Sequence, residues 1–204
     1  MSYTADQFIL LGLAAFAISG LLTWPVRKLA IAVGAMDRPN LDRKTQKEPV
    51  PYLGGVAIAM TILIITYASI AANQPTAEKF TLASQVLVPA SILGLMGLLD
   101  DLKGLAAFPR LILQTIAAIV MSLILINTDT MGFAFGNTAF DTIVSILWIV
   151  GICNSINFFD NLDGGAAGTV AIASFFLFLI ANSEGQILVS ALAIVVCGST
   201  AGFL

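Results

Sequence analysis

The sequence predicts an all-α, polytopic transmembrane helix bundle of about seven helices, with its N-terminus outside. Three observations carry that reading. Of 204 residues, 58% are hydrophobic and 10% charged, against about 25% charged in a soluble domain, and the mean hydropathy is strongly positive. Apolar runs of about 17–25 residues, the length that spans a hydrocarbon core ~30 Å thick, recur along the chain. The cations are also segregated. With loops alternating between two sides, Arg27, Lys28, Arg38, Arg43, Lys44, Lys47, Lys103 and Arg110 collect on one side and Lys79 alone on the other. Basic loops stay in the cytoplasm, which puts loops 26–50, 100–105 and 160–165 inside.

The helices are expected at roughly 7–25, 51–72, 82–99, 106–126, 141–159, 166–182 and 186–204, with ends uncertain by about 2–4 residues. The first run follows "MSYTADQ", with no basic residue ahead of it, so it reads as a retained anchor and not a cleaved leader. The fourth to sixth runs are the weakest, because polar residues crowd their ends. No repeat or linker divides the chain, so 1–204 reads as one integral membrane domain. Cys153 and Cys197 sit in apolar runs, with no CxxC and no His, so they read as small buried hydrophobes and not zinc ligands.

The carboxylates divide by side. Asp6, Glu78, Asp129, Asp141 and Glu184 fall outside, scattered, as ordinary loop solvation. The cytoplasmic ones cluster. In "GLLDDLKG", Asp100 and Asp101 end the third run. Adjacent like charges repel unless a cation or water compensates them, so the pair is either a wet helix end or a site. In "CNSINFFDNLDGG", Asn154, Asn157 and Asp160 are spaced by three and share one helical stripe, and Asp163 continues it if the helix runs that far. Helix capping by Asp160 or Asp163 accounts for one acid, not for four spaced polar groups. Gly164, Gly165 and Gly168 open the sixth helix, whose N-terminus suits an anion. The loop "MDRPNLDRKTQKEPVPYLGG" offers Arg38, Arg43, Lys44 and Lys47, as a retention signal, an attraction to anionic lipid or a clamp on phosphates. Carboxylates, amides, a glycine-opened helix and a basic loop on one side are the equipment of Mg²⁺ and phosphate chemistry.

Three stretches, "DRPNLDRKTQKEPVPYLGG", "GLLDDLKG" and "NSINFFDNLDGG", in this order and on one side, make the chain similar to the prenyl-phosphate sugar-1-phosphate transferases. The resemblance implies transfer of a phospho-sugar from a UDP-sugar to a polyprenyl phosphate lipid, with Mg²⁺ as cofactor and UMP released. It implies Asp100 and Asp101 as the catalytic acidic pair, at the metal or the lipid phosphate, and Asn157 as an amide that helps hold the metal. Asp160 and Asp163 fall in the nucleotide-sugar part of the catalytic motif. Lys44, beside Arg43, and Arg110 of "PRLILQ" match basic phosphate-binding positions, and Asn154 and Gly164 complete the substrate side. The short span from "DD" to "PRLILQ" looks like the bacterial N-acetylglucosamine-1-phosphate branch more than the muramoyl-pentapeptide branch. That implies undecaprenyl phosphate as acceptor, a start to cell-envelope polysaccharide synthesis, and a bacterial inner membrane with the active face cytoplasmic. A homodimer is compatible with the resemblance, and nucleic acid is not an expected partner.

Two departures stand out. Gln46 occupies a position that is often His in the family. The family also has about ten or eleven helices, with a further acidic metal ligand and a His-rich loop beyond the point matching "GSTAGFL". The chain therefore reads as an N-terminal portion of a larger catalytic domain, expected to be inactive alone. Two alternatives remain at this stage: a secondary transporter with cation-binding intramembrane acids, and a non-catalytic remnant of the transferase.

Overall fold

The computed structural model describes residues 3–37, 50–73, 75–104, 106–127, 135–160 and 162–204. Arg38, Asp42, Arg43, Lys44, Gln46, Lys47, Glu48, Asp129 and Asn161 lie outside the described residues. The described chain is an all-α membrane bundle: α1 Ala5–Ala32, α2 Gly54–Ala72, α3 Ala77–Lys103, α4 Ala107–Asn127, α5 Thr138–Phe159, α6 Gly165–Ser183 and α7 Ile187–Phe203. The first six are long and apolar enough to cross a membrane. α7 has 17 residues, slightly short of the ~20 that a full crossing takes.

Two helices run further than their apolar stretches suggested, each through a proline. α1 continues past Pro25 to Ala32, and α3 contains Pro89 and runs to Lys103. A transmembrane helix tolerates proline where neighbouring groups compensate the lost backbone bond. Arg27 and Lys28 are therefore helical, and the Lys28 ammonium lies 3.6 Å from the centre of the Trp24 ring. Asp100 and Asp101 belong to the last turn of α3 and do not follow it. Thr4 and Gln7 start α1 with a reciprocal capping box. Between α1 and α2, β1 Met36–Asp37 and β2 Val50–Pro51 form a two-residue antiparallel ladder, Met36 opposite Pro51.

The chain divides into two compact units, 1–80 with 159–204, and 81–158. In the first unit, α7 packs against α1, α2 and α6. Its core joins Ala15 of α1, Ile65 of α2 and Val195 of α7, with Leu11, Ala14, Ile18 and Ile62 around them. The α1–α7 seam is backbone against backbone. A methyl group at Gly198 would strike the Gly12 carbonyl, and one at Gly202 the Phe16 carbonyl. The pairings 12 with 198 and 16 with 202 advance together, so the two helices run parallel. Close approach through small residues is how helices associate where lipid is as apolar as their side chains. Buried hydroxyls bond to the preceding turn, Thr61 Oγ1 donating to the Ala57 carbonyl at 2.8 Å and Ser199 Oγ to the Val195 carbonyl at 2.7 Å.

In the second unit, α4 buries one face: Gln114, Ala118, Met121 and Ser122. α5 buries only Asp141. That acid was expected to be a solvated loop residue, and the structure corrects this. It lies in the first turn of α5, 4% exposed. Asp141 Oδ1 accepts the Phe135 amide at 3.1 Å, and Asn137 Oδ1 accepts the Phe140 amide at 3.1 Å. The Phe135 and Phe140 rings meet edge to face at 4.9 Å. The chain entering α5 is thus clamped by one acid, one amide and two rings. Asp6, Glu78 and Glu184 are exposed, as expected.

Candidate functional site

Polar groups of the second unit gather at one end of its helices. Asp100, on the last turn of α3, accepts a hydrogen bond and ion pair from Arg110 Nη1 of α4 at 2.8 Å. The side chains are 13% and 29% exposed, respectively. One turn further along α4, Gln114 Oε1 accepts from Asn154 Nδ2 of α5 at 2.8 Å. The same nitrogen donates to the Val150 carbonyl at 2.8 Å. Arg110 and Gln114 are four residues apart and so share a face of α4. That face carries one charged and one amide tie, to α3 and to α5. Asp101, next on α3, is exposed, as is Asn157, three residues past Asn154 on α5.

Arg110 was expected to bind phosphate. It is committed by one nitrogen to Asp100, and a guanidinium has five N–H donors in a fixed fork, so the rest can address a second anion. Gln114 escaped the sequence reading, although it ends the quoted "PRLILQ". The available signal was its spacing of four from Arg110 in an otherwise apolar run. A buried amide there is costly unless hydrogen-bonded.

The stripe of Asn154, Asn157, Asp160 and Asp163 does not form as one helical face. α5 ends at Phe159, and a tight turn follows. The Leu162 amide donates to the Phe159 carbonyl at 3.1 Å and the Gly165 amide to the Leu162 carbonyl at 2.8 Å. Gly164 has φ +68°, and a side chain at Gly165 would collide with the Phe159 carbonyl. The turn thus requires the glycine pair that the sequence offers. Gly164 is the N-cap of α6, with no side-chain capping bond, so neither Asp160 nor Asp163 caps that helix; both are exposed. Desolvation pushes the Asp160 carboxyl above the usual carboxylate range. Leu204 lies against Gly164, and Phe203 against Gly54 at the start of α2. The turn 162–164, the start of α2 and the end of α7 therefore share one end of the first unit. The ladder joining 36–37 to 50–51 leads directly into that start of α2.

Among the described residues, no three Asp, Glu or Cys side chains come together as a metal cluster. The donor set still fits a hard cation. Mg²⁺ is commonly held by one or two carboxylates plus substrate phosphates and water, and Asp100 and Asp101 supply two carboxylates at a helix end.

Six described helices long and apolar enough to cross a membrane, with acids and amides near helix ends, define a multi-pass membrane protein. Residues 83–204 match the family described as glycosyl transferase family 4, and the chain belongs to that family. It is 33% identical over 208 residues, 98% of this chain and 56% of the relative, to a probable undecaprenyl-phosphate N-acetylglucosaminyl 1-phosphate transferase of Bacillus subtilis (strain 168). It is 30% identical, over 97% of this chain and 53% of the relative, to a decaprenyl-phosphate N-acetylglucosaminephosphotransferase of Mycobacterium tuberculosis. A phospho-N-acetylmuramoyl-pentapeptide-transferase of Streptococcus mutans is 27% identical, over 83% of this chain and 55% of that protein. The chain thus spans about half the length of the curated relatives it matches. No solved structure matches it.

Proposed function

We propose that the protein takes part in transferring N-acetylglucosamine 1-phosphate from a UDP-sugar to undecaprenyl phosphate, releasing UMP, at the cytoplasmic face of a bacterial membrane. A phosphate oxygen of the lipid attacks the sugar-bearing phosphorus. The bond from that phosphorus to the bridging oxygen breaks, and UMP departs with the electron pair. The observation that carries this reading is the gathering of Asp100, Asp101, Arg110, Gln114 and Asn154 at one end of α3, α4 and α5. The family match and the names of the relatives supply the reaction class.

Asp100 and Asp101 are assigned to the reacting phosphates, and Asn157 of α5 would be a ligand for Mg²⁺. When bound, the cation neutralises the oxygens crowded around the transferred phosphorus. Arg110 holds Asp100 in one orientation and turns its remaining donors to a phosphate. Asp160, Asp163 and Gly164, of the α5–α6 turn, are assigned to the nucleotide sugar, and Asn154 of α5 to the substrate. Arg43 and Lys44 of the first loop meet the phosphates. Initiation of a cell-envelope polysaccharide follows from this reaction. The positive-inside distribution supports the cytoplasmic placement and an outside N-terminus.

A transporter would carry its acids near mid-membrane. Here Asp100 and Asp101 occupy the final turn of α3, and Asp163 a turn between helices. The test supplies membranes containing the complete gene product with labelled UDP-N-acetylglucosamine, undecaprenyl phosphate and Mg²⁺. Labelled lipid and UMP in equal amounts are expected, both lost in Asp100→Asn. Absence of labelled lipid from the wild type, or full turnover by Asp100→Asn, overturns the proposal.

A further inference from the structure

Gln114 is the most deeply placed member of the polar group, 8% exposed on a helix face otherwise lined by Ala118 and Ser122. Its partner's orientation is fixed by chemistry. The Val150 backbone carbonyl can only accept, so the Asn154 amide atom 2.8 Å from it is the nitrogen. That nitrogen is also 2.8 Å from Gln114, which must therefore turn its own carbonyl oxygen toward it. Two acceptors, Val150 O and Gln114 Oε1, occupy the two hydrogens of Asn154 Nδ2. What Asn154 has left is Oδ1, and an amide oxygen only accepts.

We infer that Gln114 is a positioning residue: it locks the Asn154 amide so that Oδ1 alone faces the substrate, where it receives a hydroxyl or ring N–H of the nucleotide sugar. An ionised phosphate has only acceptor oxygens and gains nothing from Oδ1. Without Gln114, the Asn154 nitrogen has an unspent hydrogen, and the site loses its preference for a donor. This inference rests on the transferase reading and names which part of the substrate Asn154 meets. The competing role is helix glue, since amides tie transmembrane helices together with no ligand involved.

The experiment measures KM for UDP-N-acetylglucosamine and for undecaprenyl phosphate, with kcat and Tm, in membranes holding the complete gene product. The variants are Gln114→Met, Asn154→Ala and the double change. Gln114→Met is expected to raise the nucleotide-sugar KM about tenfold, the loss of one well-formed polar contact, with the lipid KM unmoved. The double variant is expected to be no worse than Asn154→Ala, because the two residues act as a unit. Gln114→Glu, which keeps an acceptor at the same reach, is expected to recover most of the KM. Should Gln114→Met fail to fold, Gln114→Asn withdraws the acceptor by one methylene and is read in the same cycle. Additive effects, or both KM values rising together as Tm falls, overturn the inference and leave only helix glue. A wild type that neither turns over nor binds UDP-N-acetylglucosamine overturns the transferase reading and this inference together. An active wild type with additive variants overturns this inference alone.

Discussion

The two units of the molecule hold their helices by opposite means. In the unit of α1, α2, α6 and α7, glycine lets backbone touch backbone, as at Gly198 on Gly12 and Gly202 on Phe16. In the unit of α3, α4 and α5, the glycines do not serve that purpose. Gly94, Gly97 and Gly151 have no described atom within 4 Å of the position a methyl would take. There the helices are tied by polar side chains, Asp100 to Arg110 and Gln114 to Asn154. In lipid no hydrophobic force separates these options; dispersion through close packing and interhelical hydrogen bonds are what remain. A seam of glycine is inert. A seam of acid, cation and amide is already a partial binding site, so the chemistry of the protein is expected to concentrate where its packing is polar.

That contrast can be broken at several points. The largest effect is expected from Gly198→Val, where the added carbons meet the Gly12 backbone and no rotamer relieves them. The cost is about 3 kcal/mol or more, read as a large fall in Tm or loss of folded protein. Gly97→Val should leave the fold in place. Equal damage at both positions contradicts the division of labour. Next comes Arg110→Ala, which leaves the Asp100 carboxylate unpaired at a half-buried site. A loss of about 1–3 kcal/mol in stability is expected, together with a loss of activity exceeding that of Gly198→Ala molecules that do fold. Arg110→Lys keeps the charge and not the fork, and should restore stability better than activity.

Smaller effects sharpen the picture. Asp141→Asn keeps the acceptor for the Phe135 amide and removes a charge with one buried oxygen, Oδ2, unpartnered among the described residues. Stability should hold or rise by about 1 kcal/mol; a marked fall would show a cationic partner for Oδ2. The Asp160 carboxyl, raised by desolvation, gives a pH signature. A carboxylate must lose its proton to bind a cation or a substrate donor. Activity should therefore fall, as the pH drops, at a value above the usual Asp range, and recover as the pH rises through it. An acid limb unmoved by Asp160→Asn removes Asp160 from the reacting group.

Much of the fold could be read in advance, because helix number follows from the lengths of apolar runs, and all seven formed near their expected positions. What escaped was set by tertiary contact. The first helix was expected to end near residue 25, but α1 continues through Pro25 to Ala32. The pairing of α1 with α7 joins residues some 186 positions apart, and a glycine's neighbour is not written beside it. Within the site, the paired acids, Asn154 and Arg110 stood out because such groups are rare in apolar chains. Their partnership did not, since it depends on which face of α4 meets α3 and α5. Gln114 carries one local signal, its spacing of four from Arg110, but that spacing does not name its partner on α5. The stripe through Asp163 failed because Gly164 and Gly165 end the helical geometry on which the spacing relied.

The central claim is that Asp100 and Asp101 at the end of α3, with Asn157 of α5, serve one divalent ion. Mn²⁺ titration of the purified complete gene product in lipid nanodiscs, followed by electron paramagnetic resonance, tests it most directly. One site is expected in the wild type, weakened at least about tenfold, as expected on loss of a ligand or its support, by Asp101→Asn and equally by Asn157→Ala. Binding that neither change alters, or that responds to one and ignores the other, contradicts a shared ion.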